Sequence, residues 1–212
     1  MNNDETNPWL LIPADEYEGH MSDENVGQLQ ALNKIFCDNL KIYLPESLCI
    51  LGCTTGNGFE HIIPAITRKI TGIDLNEKYL KILRERLEKK IPGMELICAD
   101  MNDFDLPPES FDMIYAALIF EYVETQKVLE NISRSLNKNG KLISVLQLKN
   151  ENMNAVSETK YKSLKLLSPC FNYVEPDFFI SSARQAGLTK EKSYGYDLKT
   201  GKKFFVGVFR KE

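Results

Sequence analysis

The 212-residue sequence predicts a single doubly wound α/β domain with a mostly parallel sheet. Two observations predict it. Five short apolar runs between residues 48 and 148 alternate with segments of helical periodicity, which favours parallel strands joined by right-handed crossovers. Two more strand-like segments follow near the C-terminus and are separated by KTG, a pattern typical of a hairpin. The predicted sheet therefore has seven strands, with an antiparallel strand near one edge.

The first elements are a helix, a strand and a second helix. Apolar residues at helical spacing predict a helix from about Asp23 to Leu44, which Pro45 ends. The run LCILGC then predicts a short buried strand. We expect a helix from Gly56 to Arg68, with a kink or an early stop at Pro64.

The remaining elements continue this alternation. KITGID and MELICAD are predicted strands on either side of a helix that Asn76 caps and Pro92 ends. FDMIYAAL and KLISVLQL are predicted strands that flank a helix ending at the turn NKNG. Two further helices are predicted at residues 155–167 and at Pro176 to Ala186, with Gly187 as the C-terminal cap. The hairpin strands are TKEKSYGYDL and KKFFVGVFRK.

Composition restricts the class of protein. The five cysteines show no CxxC pair and no metal-ligand spacing. We therefore interpret them as reduced thiols and expect no bound metal. The N-terminus lacks the basic and apolar regions of a secretion signal, and the expected location is cytoplasmic. No apolar run suggests a membrane partner, and no basic stripe interleaved with aromatic residues suggests nucleic acid. The oligomeric state cannot be predicted from these patterns.

A glycine-rich turn follows the first strand, at the place where doubly wound sheets bind ligands. Gly52, Gly56 and Gly58 lie in the stretch GCTTGNG, whose spacing fits neither the dinucleotide fingerprint nor a phosphate-binding loop. Glycine permits close approach of a ligand to the backbone. The turn alone is thus compatible with a ligand site or with a tight turn that binds nothing.

Acidic residues end the next two strands. Asp74 ends the second strand, where an acid can accept hydrogen bonds from the two hydroxyls of a ribose. Asp100 ends the third strand, one position further along the sheet, where it could accept from an adenine amino group. Together with the glycine turn, these residues predict a nucleoside site.

The motifs resemble those of class I S-adenosylmethionine-dependent methyltransferases, in the broad small-molecule group. The resemblance is carried by ILGCTTGNG, TGIDLNEKYL, CADMNDFDLPPESFDMIYAALIFEYV and ISRSLNKNGKLISV, and it covers roughly residues 45–150. It implies a Rossmann-like methyltransferase fold, S-adenosyl-L-methionine as cofactor and a small-molecule methyl acceptor. The implied cofactor-binding residues are Gly52, Cys53, Thr54, Gly56, Asp74, Leu75, Asp100, Met101 and Ala117.

Two positions depart from the pattern of this family. Ile50 stands where the family usually has an acid, and Thr54 stands where it often has glycine. A second interpretation is therefore a catalytically degenerate methyltransferase-like domain with a binding or regulatory role. A third, a nicotinamide-dependent oxidoreductase, is disfavoured by the glycine spacing and by the terminal hairpin.

The sequence shows no conspicuous catalytic base, so the catalytic residues are unknown at this stage. Glu121, which follows the fourth strand, is one candidate for contact with the acceptor. Tyr17 and His20 are two others, because they lie in an arm that resembles the N-terminal lid of small-molecule methyltransferases. We therefore expect residues 1–44 to form an arm and helix that cover a methyltransferase domain at residues 45–212.

Overall fold

The computed structural model describes residues 7–212, and residues 1–6, the start of the expected arm, lie outside the described residues. Seven strands form one sheet in the order β3-β2-β1-β4-β5-β7-β6. Strands β1 to β5 pair in parallel, whereas β7 is antiparallel to both β5 and β6. The strands are β1 (Ser47–Leu51), β2 (Lys69–Asp74), β3 (Glu95–Cys98), β4 (Phe111–Ala117), β5 (Leu136–Gln147), β6 (Leu188–Asp197) and β7 (Lys203–Lys211). The predicted seven-stranded α/β fold is confirmed.

Helices cover both faces of this sheet, as its doubly wound topology requires. The α-helices are α1 (Ala14–Ser22), α2 (Gln28–Tyr43), α3 (Glu77–Leu87), α4 (Thr125–Ser135) and α5 (Pro176–Gln185). Short 3-10 helices span Pro8–Leu11, Phe59–His61 and Lys162–Cys170. Successive side chains of β1 enter opposite apolar clusters: Leu48 and Ile50 pack in one, Cys49 and Leu51 in the other. The centre of the sheet is therefore buried on both faces, and the carboxyl ends of its strands are left to form a site.

The predicted helix from Gly56 to Arg68 is wrong. Only a 3-10 turn at Phe59–His61 forms there. Gly56 and Gly58 have φ angles of +95° and +92°, which lie outside the helical region. Pro64 lacks the N–H that a continuing helix would need. The chain thus passes from β1 to β2 through a loop.

Two other helix boundaries differ from the prediction. The helix expected from Asp23 begins at Gln28 instead, because Gly27 adopts a left-handed conformation with φ of +65° at its N-terminal cap. The helix expected at 155–167 is a 3-10 helix at Lys162–Cys170, and Pro169 within it cannot donate an α-helical hydrogen bond.

Candidate active site

A large cavity lies at the carboxyl ends of β1 to β5. It contains about 1110 Å³ of empty space, counting its open mouth. The residues of the sheet and its loops that line it include Gly52, Thr54, Ile73, Asp74, Leu75, Ala99, Asp100, Met101, Asn102, Ala117, Leu118, Ile119 and Gln147. Ligands of doubly wound sheets bind at this edge, where the order of the strands reverses around β1 and β4.

The order of the strands gives the cavity two ends. Asp100 follows β3, and Gln147 ends β5, four strands further along the sheet. At a spacing of about 4.8 Å between neighbouring strands, these two ends lie roughly 19 Å apart. The cavity is therefore long enough for two ligands side by side, one above β3, β2 and β1 and one above β4 and β5.

Asp74 is the most constrained acid of the cavity. Its Oδ2 accepts a hydrogen bond from the Thr54 N–H at 2.9 Å, and its Oδ1 accepts from the Asn76 N–H at 2.8 Å. Burial raises the pKa of Asp74 to about 6, although these two hydrogen bonds oppose the shift. Each carboxylate oxygen can accept more than one hydrogen bond. The side chain thus links the glycine turn to the end of β2 and still offers lone pairs to a ribose.

Other predicted residues share the same wall. Asp100 follows β3, and its Oδ1 accepts from the Asn102 N–H at 2.8 Å. Leu75, Met101 and Ala117 supply apolar surface to the cavity. The floor at Gly52 is open, since a Cβ there would find only Ile119, at 3.7 Å. These features fit an adenosine group in shape and in donor and acceptor chemistry.

Two of the nine predicted cofactor-binding residues do not line the cavity. Cys53 is buried, and its Sγ would lie 3.0 Å from a Cβ at Gly72 in the neighbouring strand. A Cβ at Gly56 would meet the Cδ1 of Leu83 at 2.3 Å. Both positions therefore face the protein interior, and they support the turn on the side away from the cavity.

The two departures from the family pattern have distinct structural settings. Ile50 packs in the apolar core and does not line the cavity. Thr54 adopts the left-handed conformation, with φ of +48°, and donates its N–H to Asp74. The turn thus keeps a glycine-like backbone conformation although a side chain is present.

The N-terminal segment covers the cavity. Trp9, Tyr17, His20 and Met21 all line it. The ring of Trp9 packs edge-on against Tyr122 on the opposite wall, with centroids 5.1 Å apart.

Hydrogen bonds and an ion pair hold this segment against α3 and its N-terminal cap, Asn76. The Tyr79 hydroxyl donates to the Ile12 carbonyl at 3.0 Å, and the Asn76 side chain donates to the Trp9 carbonyl at 2.9 Å. The Glu18 carboxylate forms an ion pair with Arg86. These contacts make residues 8–22 a roof over the cavity.

Sequence reasoning missed a polar group at the β5 end of the cavity. It comprises Gln28, Gln147 and Lys202, all buried and all lining the cavity. No sequence motif indicates this polar group, because its three residues belong to α2, to β5 and to the turn before β7. Only the antiparallel pairing of β5 with β7 brings Lys202 to this place.

Glu121 does not line the cavity in the described part of the chain. It is fully buried, and its Oε1 accepts from the Gln147 N–H at 2.7 Å, while its Oε2 has no hydrogen-bond partner within residues 7–212. Burial raises its pKa to about 7. Its position beneath Gln147 favours a role in holding the end of β5 over direct contact with an acceptor.

The variant Glu121→Gln should change how stability depends on pH. Because the folded-state pKa of about 7 exceeds the ordinary 4.5, ionisation of Glu121 penalises the native protein increasingly from pH 4.5 to pH 7. Glutamine does not titrate. We expect the free energy of unfolding of the variant, relative to the unmodified protein, to rise by about 3 kcal/mol between pH 4 and pH 8.

Urea unfolding at several pH values measures this difference. The exposed Glu151→Gln is the control for replacing a glutamate at the surface, and the profile of Glu121→Gln is compared with it. A flat profile for Glu121→Gln would show that its carboxyl titrates normally in the native protein.

Comparison with known proteins agrees with this geometry. Residues 50–144 match the family model described as "Methyltransferase domain". The ribosomal protein L11 methyltransferase of Aquifex aeolicus is 33% identical over 103 residues, which are 48% of this chain and 40% of that protein. The chain thus spans less than half the length of this curated relative.

Two solved structures share the fold at low sequence identity. The N-methyltransferase NodS of Bradyrhizobium japonicum, in complex with S-adenosyl-L-homocysteine, has a TM-score of 0.62 and 17% identity over 98% of this chain and 93% of its own. The [4+2]-cyclase SpnF has a TM-score of 0.68 and 15% identity over 85% of this chain and 80% of its own.

The fold and the match of residues 50–144 support a class I S-adenosylmethionine-dependent methyltransferase. The matched region thus resembles a methyltransferase domain, and S-adenosyl-L-methionine is the cofactor that this resemblance implies. Within residues 7–212, no helix is long and apolar enough to cross a bilayer, and no three His, Cys, Asp or Glu side chains are grouped to hold a metal ion.

Proposed function

We propose that this protein transfers the methyl group of S-adenosyl-L-methionine to a small molecule bound in the same cavity. The observation that carries the proposal is the roof formed by residues 8–22. Because Trp9 reaches across to Tyr122, the space above β4 and β5 is partly covered, and access is limited to the mouth of the cavity. A covered site of this kind suits a small acceptor better than the side chain of a folded macromolecule.

The cofactor roles that we propose follow the order of the strands. Asp74 holds the ribose, and Asp100 accepts from the adenine amino group, with Leu75 and Met101 against the ring. The backbone at Gly52 and Thr54 lies under the amino-acid portion, and Ala117 lies near the sulfur. Cys53 and Gly56 support the turn without contact to the cofactor.

The proposed chemistry is mainly positioning. When bound, S-adenosyl-L-methionine supplies an activated methyl group. The residues of the chain align the acceptor and exclude water. Burial lowers the pKa of His20 to about 4 and raises the pKa of Tyr17 to about 12, so at neutral pH both are uncharged. Of the three candidates, we retain neutral His20 as a hydrogen-bonding group and Tyr17 as a hydrogen-bond donor, and we assign Glu121 no contact with the acceptor.

Isothermal titration and a transfer assay test this function together. We expect S-adenosyl-L-homocysteine to bind and NAD not to bind. With radiolabelled S-adenosyl-L-methionine and a cell extract divided by ultrafiltration, label should appear in the small-molecule fraction. Label confined to macromolecules would contradict a small-molecule acceptor. Binding without any transfer would favour the degenerate domain.

We also propose that residues 1–44 act as a lid on the domain formed by residues 45–212. Trp9 is the single tryptophan of the chain, so its fluorescence reports the state of the lid directly. We expect S-adenosyl-L-homocysteine to change the Trp9 emission. An emission spectrum that saturating ligand leaves unchanged would contradict a lid at this position.

The variant Trp9→Ala should weaken binding of S-adenosyl-L-homocysteine about tenfold. Trp9 makes two edge-on aromatic contacts, with Tyr17 and Tyr122. Each such contact contributes roughly 0.5–1.5 kcal/mol, and the variant loses both. Titration calorimetry measures this loss. Leu11→Ala, in the same segment but exposed, is the matched control and should bind as the unmodified protein does.

The proposed location is the cytoplasm. All five cysteines are free thiols, three of them buried. This state is typical of proteins in reducing compartments.

A further inference from the structure

The polar group at the β5 end of the cavity contains an unusual lysine. Lys202 is only 3% exposed, yet it lines the cavity together with Gln28 and Gln147. We call these three residues the lysine–amide cluster. Lysine is almost never so buried without a charged partner.

Hydrogen bonds orient every member of the cluster. The Lys202 Nζ donates to the Ala155 carbonyl at 2.7 Å and to the Gln147 Oε1 at 3.3 Å. The Gln28 Nε2 donates to the same Oε1 at 2.8 Å, and the Gln147 Nε2 donates to the Ala155 carbonyl at 2.9 Å. An ammonium group has three N–H donors, and these contacts use two of them. The third is available to a ligand in the cavity.

The charge of Lys202 has no counter-ion among the described residues. No Asp or Glu of residues 7–212 forms an ion pair with it. Its acceptors are a carbonyl and an amide oxygen, both uncharged. Burial lowers the pKa of Lys202 to about 8, so at neutral pH the group still carries its charge for most of the time. A buried, unpaired cation is costly, which suggests that a ligand supplies the missing negative charge.

We propose that the lysine–amide cluster binds a single anionic group of the methyl acceptor, of the carboxylate class. This inference rests on the proposed methyl transfer to a small molecule and adds the chemical class of that molecule. A carboxylate completes the hydrogen bonds of Lys202 and neutralises its charge within the cavity. Phosphate fits less well, because it carries more charge than one lysine balances and arginine is absent from the cluster.

Leucine side chains supply apolar surface to this end of the cavity, beside His20 of the roof. Leu32, Leu164 and Leu167 line it and belong to one apolar cluster with Met21 of the roof. The acceptor therefore has an apolar body in addition to its anionic group. Its carboxylate end lies at β5 and β7, and its methylated atom points back towards β4 and Ala117.

Calorimetry with small probes tests the proposal. The probes are acetate, benzoate and octanoate, each compared with its uncharged amide, and inorganic phosphate. Each is titrated into the full chain with and without S-adenosyl-L-homocysteine. We expect at least one apolar carboxylate to bind at least tenfold more tightly than its amide and than phosphate. Equal binding of every carboxylate and its amide would overturn the proposal, and so would a preference for phosphate.

Two matched variants test whether Lys202 causes the preference for carboxylate over amide. Lys202→Met keeps the length of the side chain but removes the charge, and it should lose the preference for carboxylate over amide. Lys203→Met, at the adjacent exposed lysine that pairs with Asp197, should keep it. A variant Lys202→Met that retains the preference would overturn the proposal.

Thermal unfolding separates recognition from a structural role of Lys202. We expect Lys202→Met to melt within a few degrees of the unmodified protein and to lose the stabilisation that the carboxylate confers. Two results together would assign Lys202 a structural role instead. They are a severe loss of melting temperature in Lys202→Met and no stabilisation of the unmodified protein by any carboxylate. Failure of S-adenosyl-L-homocysteine to bind the unmodified protein would refute the proposed function, whereas the carboxylate–amide comparison alone decides the inference.

Discussion

The variant Asp74→Asn is expected to bind S-adenosyl-L-homocysteine at least about a hundredfold more weakly than the unmodified protein. Hydrogen bonds to a charged group contribute roughly 1.5–3 kcal/mol each, and we propose that Asp74 receives two from the ribose. A factor of ten corresponds to about 1.4 kcal/mol, so losing both exceeds a hundredfold. Asparagine also cannot accept from both the Thr54 and Asn76 N–H groups, which distorts the turn.

Titration calorimetry with S-adenosyl-L-homocysteine gives the affinity, and thermal unfolding without ligand gives the effect on the fold. Asp197→Asn is the matched control, because that carboxylate is exposed at the far hairpin. It should change neither quantity. An Asp74→Asn variant that binds as tightly as the control would remove Asp74 from the proposed cofactor site.

The variant Gly56→Ala is expected to destabilise the protein by about 2–5 kcal/mol. The φ of +95° at Gly56 strains any residue with a Cβ, at a cost of roughly 1–2 kcal/mol. The added methyl group would also meet Leu83 at 2.3 Å, and overpacking of this kind costs about 1–3 kcal/mol more. Leu83 is a buried residue of α3 and has little room to move.

Urea unfolding measures this loss, and Gly93→Ala separates its two causes. Gly93 has a similar φ of +82°, but nothing lies within 4 Å of the position of its Cβ. Gly93→Ala should therefore show the backbone strain alone, roughly 1–2 kcal/mol. Equal losses for the two variants would mean that α3 moves aside without penalty.

Local patterns predicted the sheet well because its central strands are short, mostly apolar runs with polar residues at their ends. Asp74 is the last residue of β2, and Asp100 comes two residues after β3, so their position at the edge of the sheet follows from the parallel topology alone. The helix predicted from Gly56 to Arg68 was wrong because Gly56 and Gly58 adopt backbone conformations outside the helical region.

The lysine–amide cluster was not predictable by this route. Gln28, Gln147 and Lys202 are separated by 119 and 55 positions in the chain, and each is polar in an ordinary way. Their meeting depends on the register that pairs Gln147 with Phe204 across β5 and β7. Glu121 borders the cavity in sequence, but its carboxylate accepts a hydrogen bond from the Gln147 N–H, which the sequence does not indicate.

The roof of residues 8–22 touches both ends of the cavity. Tyr17 lies near Asp74, and the Nδ1 of His20 is 2.9 Å from the Thr159 hydroxyl on the loop that follows β5. Under the proposed function, the nucleoside and the methylated product both leave past residues 8–22, through the mouth of the cavity. We expect release of these products to set the turnover rate, so that weakening the Glu18–Arg86 ion pair would raise the rate at saturating substrate.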